Sequence, residues 1–272
     1  MKFHGHLHKM RVELASPTRY WLDMEEGPIG LHDLLGRQLD LKWLGEIHCI
    51  HCGRATRKSF NQGYCYPCFR TLARCDICIV SPEKCHYDAG TCREPEWGEQ
   101  HCLQPHLMYL SNTSGVKVGI TRQTQVPTRW IDQGARQALP IARVPTRHDA
   151  GSLEVAFKQY LDDRTNWRGM LKDDYQPADL PRIAAETWQR VEPGLDEDLR
   201  QRLEWLAEKS APQDIDYPAQ AFPQKIASFN LDKTPRVGGR LSAVKGQYLI
   251  FESGVINLRK YAGYRVEIEL ED

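Results

Sequence analysis

The stretch HLMYLSNTSGVKVGITR, residues 106–122, contains two short apolar runs on either side of a turn. The runs LMYL and VKVGI flank Asn112, Thr113, Ser114 and Gly115, which are residue types typical of tight turns. The pattern therefore predicts a β-hairpin. This hairpin carries a tyrosine, a lysine and a glycine in strand positions and leads into a segment rich in arginine, which raises the question of a functional role.

The 272 residues suffice for one large domain or for two to three small ones, and the composition is that of an ordinary globular protein. No apolar run is long enough to span a membrane, and the N-terminal sequence MKFHGHLHKM lacks the apolar core of a signal peptide. We therefore expect a cytoplasmic protein without a membrane partner.

The net charge is zero, but the charges are unevenly distributed along the chain. Between His106 and His148 the only acidic residue is Asp132, whereas acidic residues prevail over residues 173–198. The basic residues of the first stretch are Lys117, Arg122, Arg129, Arg136, Arg143 and Arg147. Such a segment suits a surface that faces phosphate groups, and an ordinary solvated face explains the charges equally well.

Five segments can be separated by composition and pattern. They are an N-terminal β-unit at 1–48, a Cys-rich zinc-binding module at 49–105, a central α/β module at 106–175, a helical and linker segment at 176–235, and a C-terminal β-unit at 236–272. These segments predict an α+β fold. Within the fourth segment, LDEDLRQRLEWLAEKS predicts a charged amphipathic helix over residues 195–209.

The two ends of the chain repeat one pattern of residues. The aligned pairs are Gly5 with Gly239, Tyr20 with Tyr248, Gly27 with Gly254, Ile29 with Ile256, Leu31 with Leu258, and Gly36 with Gly263. A glycine, an aromatic strand, a turn glycine and another strand thus recur in one order. We interpret the ends as two copies of a small β-unit that pack together as one barrel or sandwich.

All nine cysteines lie between residues 49 and 102. The motifs CIHC and CYPC, separated by twelve residues, supply Cys49, Cys52, Cys65 and Cys68. Two such knuckles can complete a tetrahedral thiolate shell, so the spacing predicts a structural zinc ion rather than free buried thiols or a redox pair. Four thiolates leave no position open for a catalytic water molecule.

The remaining cysteines are Cys75, Cys78, Cys85, Cys92 and Cys102. The knuckle CDIC supplies two ligands for a second metal ion, Cys85 and Cys92 are the first choice for the other two, and Cys102 competes with them. Ligands shared between the two sites and an iron–sulfur cluster are the alternatives. Zinc is favoured because nothing else in the sequence suggests electron transfer, so two structural Zn²⁺ ions are expected.

The order of motifs around the hairpin resembles the GIY-YIG nuclease superfamily, and more closely its branch in which the second motif reads KIGIT or KVGIT. Tyr109 in LMYL and Lys117 in VKVGIT stand at the two motif strands. Arg129 in PTRWIDQGA stands at the family arginine on the following helix, and Glu154 in GSLEVAFKQYL fits the metal-binding glutamate. Asn166 in DRTNW fits the asparagine that often closes the pattern. The resemblance covers about 60 of the 272 residues.

This resemblance implies cleavage of a phosphodiester, with tyrosines that prepare the water, Arg129 on the phosphate, and Mg²⁺ or Mn²⁺ at Glu154. Typical members carry a second tyrosine where this chain has Lys117. Lys117 then acts as a base with a depressed pKa, or it contacts phosphate without catalysis. The same residues also have structural interpretations, with Tyr109 as a core aromatic, Arg129 and Glu154 as a salt bridge, and Asn166 as a helix cap.

The whole chain is also similar to an uncharacterised bacterial family with a domain of unknown function, which combines these cysteines with GYCYPCF, GTCREPEWGE, KVGITR and RWIDQGA. We therefore expect a zinc-containing protein that binds DNA or RNA, and the GIY-YIG resemblance implies a metal-dependent endonuclease. The alternatives are a nucleic-acid-binding module without catalysis and a scaffold that binds a protein partner through the acidic helix.

Overall fold

The computed structural model describes residues 1–271, in which three β-sheets are combined with short α-helices. The strands are β1 (Lys2–His6), β2 (Arg11–Glu13), β3 (Arg19–Met24), β4 (Gly27–Gly30), β5 (Gln38–Ile47), β6 (His106–Asn112), β7 (Val116–Arg122), β8 (Gln137–Val144), β9 (Glu204–Trp205), β10 (Gln213–Asp214), β11 (Arg236–Lys245), β12 (Tyr248–Phe251), β13 (Gly254–Asn257) and β14 (Tyr264–Leu270). This mixture of sheets and helices confirms the predicted α+β class.

The α-helices of the described residues are fewer than the strands. The α-helices within residues 1–271 are α1 (Tyr66–Thr71), α2 (Pro95–His101), α3 (Thr128–Asp132), α4 (Arg147–Phe157), α5 (Trp167–Leu171), α6 (Leu180–Val191) and α7 (Glu197–Arg202). Single 3₁₀ turns lie at Leu31–Leu34, Ala73–Cys75, Ile77–Ile79, Pro82–Lys84, Gln123–Gln125, Glu192–Gly194 and Leu258–Tyr261. Over the described part of the chain, none of these helices combines the length and hydrophobicity that a membrane crossing requires.

A six-stranded antiparallel sheet joins the two ends of the chain. Its strand order is β1-β14-β5-β11-β12-β13. β1 pairs with β14, β14 pairs with β5, and β5 pairs with β11. The first strand of each end segment therefore pairs with the last strand of the other, and the two last strands pair with each other at the centre. The segment boundaries at 48, 105, 175 and 235 stay predictions.

Apart from β2, which occurs in the N-terminal segment alone, both end segments have the same order of elements over the described residues. Each contains a first strand (β1 or β11), a hairpin (β3–β4 or β12–β13), a 3₁₀ turn and a last strand (β5 or β14). Gly36 and Gly263, which align in the sequence repeat, lie shortly before the last strands and have φ angles of 81° and 85°. Glycine adopts this left-handed conformation without the steric cost that a Cβ atom brings. One turn geometry therefore explains the glycine found in both copies.

The second sheet holds the hairpin that the opening stretch predicts. Its strand order is β10-β8-β6-β7. The short strand β9 also pairs with β8, at Ala142 and Arg143. β6 is buried throughout, and it is flanked by β7 and β8. One face of β6 places Tyr109 in the core of the large sheet, together with Trp130 and Ile131. The opposite face packs Met108 and Leu110 against α4 and α6.

The prediction of a helix over residues 195–209 is wrong beyond Arg202. The helix α7 ends at Arg202, and the chain then forms β9, whose Trp205 pairs with Ala142 of β8. The Trp205 ring stacks on Trp188 with ring centroids 4.5 Å apart. Burial of a tryptophan contributes more free energy than the small helical preference of an exposed turn, so tertiary packing decides this segment.

Candidate functional site

The hairpin β6–β7 brings Tyr109 and Gly119 opposite each other. The Tyr109 side chain is fully buried, and a Cβ atom added at Gly119 would lie 2.8 Å from the Tyr109 hydroxyl oxygen. Glycine is needed here because any larger residue would displace the ring. The Tyr109 hydroxyl donates a hydrogen bond of 2.9 Å to Oε1 of Gln133, and it also interacts with the Arg129 side chain.

A basic pocket of about 260 Å³ lies beside β7, the outer strand of the second sheet. Its lining residues are Ile79, Val80, Pro82, Lys117, Gly119, Ile120, Arg129, Gln133, Arg147, Glu154, Lys158 and Asp163. They come from the Cys-rich segment, β7, the region of α3, α4 and the loop after α4. The pocket thus forms only when segments that are distant in sequence meet.

Lys117 is the most deeply buried cation of the pocket, with 4% of its surface exposed. Burial and the nearby positive charge of Arg129 lower the pKa of Lys117 to about 8, although Glu154 and Asp163 oppose the shift. Within residues 1–271 the Lys117 ammonium has no ion pair within 4.0 Å. A buried ammonium without a close carboxylate is costly, so an anionic ligand at this position would be strongly favoured.

Glu154 is the carboxylate of the pocket, and it projects from the middle of α4. Its side chain is 13% exposed, and burial raises the pKa of the Glu154 carboxyl group. Lys158, one helical turn further along, lies 3.9 Å from it and forms a closer ion pair of 2.9 Å with Asp163. Lys158 is thus held by Asp163 more than by Glu154, which leaves the Glu154 oxygens available to a ligand.

Three of the five residues predicted as catalytic line this one pocket, namely Lys117, Arg129 and Glu154. Tyr109 is fully buried and does not line the pocket, but its hydroxyl group contacts the lining residues Gln133 and Arg129. The salt bridge considered between Arg129 and Glu154 is not formed within residues 1–271. Their roles in chemistry remain predictions.

Asn166 does not line the pocket; it occupies the N-cap of α5. Its side-chain oxygen accepts a hydrogen bond of 3.2 Å from the Gly169 N–H, and its backbone carbonyl accepts one from the Ser114 hydroxyl. This geometry agrees with the capping interpretation. A single asparagine before a short helix fits both a motif and a cap, and the sequence alone could not separate them.

Sequence reasoning missed Arg147, Lys158, Asp163 and Gln133 as lining residues of the pocket. Arg147 and Lys158 belong to the same helical stretch as Glu154, at seven residues before it and four residues after it. Such spacings place side chains on one helix face, so helical periodicity was the available signal. Gln133 and Asp163 follow helices in loops, where no periodic pattern applies.

The first four cysteines are assembled as predicted. The ligand atoms of Cys49, Cys52, Cys65 and Cys68 all lie within 4.8 Å of one another. The sulfur atoms of Cys52 and Cys65 are 3.7 Å apart, close to the spacing of about 3.8 Å that a tetrahedron with Zn–S bonds of about 2.3 Å requires. A four-thiolate cluster of this size fits a structural zinc ion.

Local backbone geometry prepares one thiol of this cluster for metal binding. Burial alone raises the pKa of Cys49, but backbone N–H groups of Cys52, Cys65 and His51 point at its sulfur and bring the pKa to about 6. The turn after the first knuckle depends on Gly53, which has a φ of 69° and donates its N–H to the Cys49 carbonyl. A thiolate stabilised by N–H donors is the form that binds zinc.

Among the described residues, Cys75, Cys85, Cys92 and Cys102 do not form one close group with Cys78 as the first choice of ligands requires. Cys75 packs with the first cluster, beside Cys49, Cys65, Cys68 and Leu72. Cys78 instead shares a second group with Asp76 and His86, whose ligand atoms lie within 4.8 Å of one another. Burial raises the pKa of Cys78 to about 11, and the charges of Asp76, Cys85, Cys102 and Cys92 add to this effect.

Asp76 already has partners in this second group. One oxygen accepts the N–H of Ile77 at 2.6 Å, and the other lies 2.8 Å from the Arg93 guanidinium and 3.3 Å from His86. The carboxylate is therefore occupied by protein donors. Of the three group members, Cys78 offers the least engaged ligand atom.

A family model described as "Protein of unknown function (DUF2797)" matches residues 36–266, which is most of the chain. The matched range contains every cysteine and every lining residue of the basic pocket. No curated protein and no solved structure matches this chain.

Proposed function

We propose that this chain, which belongs to the DUF2797 family of unknown function, is a zinc-stabilised protein that binds nucleic acid through a phosphate group in its basic pocket. The observation that carries the proposal is that Lys117, Arg129 and Glu154 line the same pocket. Cytoplasmic location is part of the proposal, because thiols stay reduced there and remain available to zinc.

The charges of the pocket support a phosphate ligand. Lys158 and Asp163 form an ion pair and offset each other. The cations that remain are Lys117, Arg129 and Arg147, and they face the single carboxylate of Glu154. An arginine fork and a buried ammonium suit phosphate oxygens, and the volume of about 260 Å³ suits a phosphate with part of its sugar.

We further propose that the bound phosphodiester is cleaved in the manner of the GIY-YIG nucleases that the motif order resembles. Glu154 would hold Mg²⁺ or Mn²⁺, which supplies a Lewis acid for the phosphate. Arg129 binds the phosphate oxygen on which charge develops. The Tyr109 hydroxyl is buried and contacts Gln133 and Arg129, so it would act on a water molecule through these two lining residues.

Binding and cleavage are tested together with fluorescein-labelled DNA and RNA oligonucleotides at low salt, with and without Mg²⁺ or Mn²⁺. Arg129→Gln should weaken binding about 10- to 100-fold and reduce the slope of log affinity against log salt by about 1. Glu154→Gln should abolish cleavage while binding is retained. Arg182→Gln, which changes an exposed arginine of α6 that pairs with Glu186, is the matched control.

Two results would reject parts of this proposal. Equal cleavage by the wild type and Glu154→Gln would exclude Glu154 as the site of metal-assisted cleavage. Absence of any binding at low salt would exclude the nucleic-acid function and favour a protein-binding scaffold.

A second candidate function is binding without cleavage, and Lys117 favours it. Typical members of the resembled superfamily carry a tyrosine at this position, and that tyrosine is the usual candidate for preparing the nucleophile. The ammonium of Lys117 with a pKa of about 8 stays largely protonated at pH 7 and therefore suits phosphate binding better than proton abstraction. Tight, salt-dependent binding with no cleavage under any metal would support this alternative.

Two zinc ions per chain are also part of the proposal. The first would be held by the four-thiolate cluster. The second would be held by Cys78 together with thiols from Cys85, Cys92 and Cys102, whose charges act on Cys78. Cys75 is the surplus thiol because it packs with the first cluster. Metal analysis should give two zinc ions per chain, and Cys78→Ser should reduce the content to one.

A further inference from the structure

We propose that Arg147 is a second phosphate-binding arginine of the pocket, and that the Cys-rich segment holds it in position, so that metal occupancy and ligand binding are coupled. The inference rests on the proposed function and extends it to a residue outside the resembled motif.

Two hydrogen bonds tie Arg147 to the Cys-rich segment. Its Nη2 donates to the Ile79 carbonyl at 2.7 Å, and its backbone N–H donates to the Cys102 carbonyl at 2.7 Å. Ile79 follows Cys78 by one residue, and Cys102 is itself a candidate metal ligand. The guanidinium is therefore placed by chain segments that the second metal ion would order.

A donor of Arg147 is left without a partner. The Nε atom is buried and makes no hydrogen bond within residues 1–271. Because Arg147 lines the same pocket as Lys117 and Arg129, a phosphate bound there would contact its side chain and lie among three cations.

The wall formed by the Cys-rich segment packs tightly on α4. Ile79, Val80 and Pro82 line the pocket, and a Cβ atom added at Gly151 would lie only 2.5 Å from Cβ of Pro82. The helix that carries Arg147 and Glu154 therefore rests directly on this segment. A shift of the segment would move both side chains, because packed elements transmit small displacements.

Coupling between two sites is reciprocal. If an ordered metal site positions Arg147 for a phosphate, a bound phosphate must in turn stabilise the metal site. The coupling can therefore be measured on the intact, metal-loaded protein from either side.

The first arm of the test measures affinity for a fluorescein-labelled single-stranded DNA oligonucleotide with a 5′-phosphate. Arg147→Gln should weaken binding about 10- to 100-fold and reduce the salt slope by about 1, and Arg147→Lys should restore part of the affinity. Arg143→Gln is the control, since Arg143 belongs to the same basic stretch, pairs with Glu204 and does not line the pocket. Circular dichroism and zinc content report whether each variant is folded.

The second arm measures zinc release to a chromogenic chelator with and without the oligonucleotide. Bound oligonucleotide should slow release from the wild type and from Arg143→Gln, and this protection should be lost in Arg147→Gln. Because this readout compares the same protein with and without the probe, a small loss of stability in the variant does not imitate the effect.

The outcomes separate this inference from the proposed function. If Arg129→Gln weakens binding but Arg147→Gln binds like the wild type, the inference fails and the proposed function stands. If the oligonucleotide leaves zinc release unchanged, the coupling is refuted. If the wild type does not bind the oligonucleotide at low salt, the proposed function and the inference fail together.

Discussion

The four-thiolate cluster and the basic pocket are assembled in opposite ways. The cluster takes its ligands from two knuckles, each spanning four residues, and its shell is closed. The pocket takes its side chains from residues spread between 79 and 163, and it stays open to a ligand. A site whose ligands are close together in the sequence can therefore be recognised from their spacing. A site whose side chains come from distant segments can be recognised only when the fold is known.

The largest expected effect comes from removing a ligand of the four-thiolate cluster. Cys65→Ser should release one zinc ion and unfold the segment around α1, since a structural zinc ion supplies about 10 kcal/mol or more of binding free energy in small zinc domains. Zinc content and thermal unfolding measure the effect. Cys75→Ser is the matched control, because Cys75 packs beside the cluster without belonging to it, and it should lose no zinc.

A smaller effect is expected where the hairpin meets the pocket. Gly119→Ala should destabilise the protein by about 1–3 kcal/mol, because the new Cβ atom would collide with Tyr109, whose hydroxyl lies 2.8 Å away. Chemical denaturation measures the free energy of unfolding. The double variant with Tyr109→Leu should be less unstable than the sum of the single changes, and simple additivity would contradict the contact.

Ligand binding in the basic pocket should depend on pH through Lys117. Its pKa of about 8 means that the positive charge is lost as pH rises through that value, whereas an exposed lysine keeps its charge to above pH 10. Affinity for a labelled oligonucleotide should therefore fall about tenfold between pH 7 and pH 9. Protein stability should change in the other direction, because the unfolded state binds more protons than the folded state over this range.

Lys117→Arg is the control for this pH effect. The guanidinium keeps its charge, so the affinity of the variant should change little between pH 7 and pH 9. The charged groups that act on Lys117 are Arg129, Glu154 and Asp163. An identical pH profile in the wild type and the variant would assign the titration to another group.

The smallest effect is expected at Asn166. Asn166→Ala should cost about 1 kcal/mol of stability through loss of the α5 cap, with no change in oligonucleotide affinity. Asn166→Asp keeps an N-capping oxygen and should retain most of the stability. A large loss of affinity in Asn166→Ala, without unfolding, would show that Asn166 contributes to ligand binding.

Local signals predicted much of the fold. The turn residues Asn112 to Gly115 gave the hairpin, the two knuckles gave the first cluster, and the repeated glycines marked equivalent turns at Gly36 and Gly263. Each of these signals acts over a few neighbouring residues, where sequence spacing directly limits geometry.

Signals that depend on distant packing were missed. The segment after Arg202 has a helical pattern, but stacking of Trp205 on Trp188 makes it a strand. Arg147 gives no motif of its own, and its place in the pocket follows from contacts with Ile79 and Cys102. The sequence also could not show which of the later thiols is surplus, because the position of Cys75 beside the first cluster is a tertiary contact.

The exchange of strands between the two end segments has a consequence for biosynthesis. β1 and β5 both pair with β14, so neither has that neighbour until the ribosome has added Leu270. Contacts of such high sequence separation slow folding and expose strand edges while the nascent chain grows. We therefore expect the zinc cluster and the central hairpin, whose contacts are local, to form during translation, and the six-stranded sheet to close only after it.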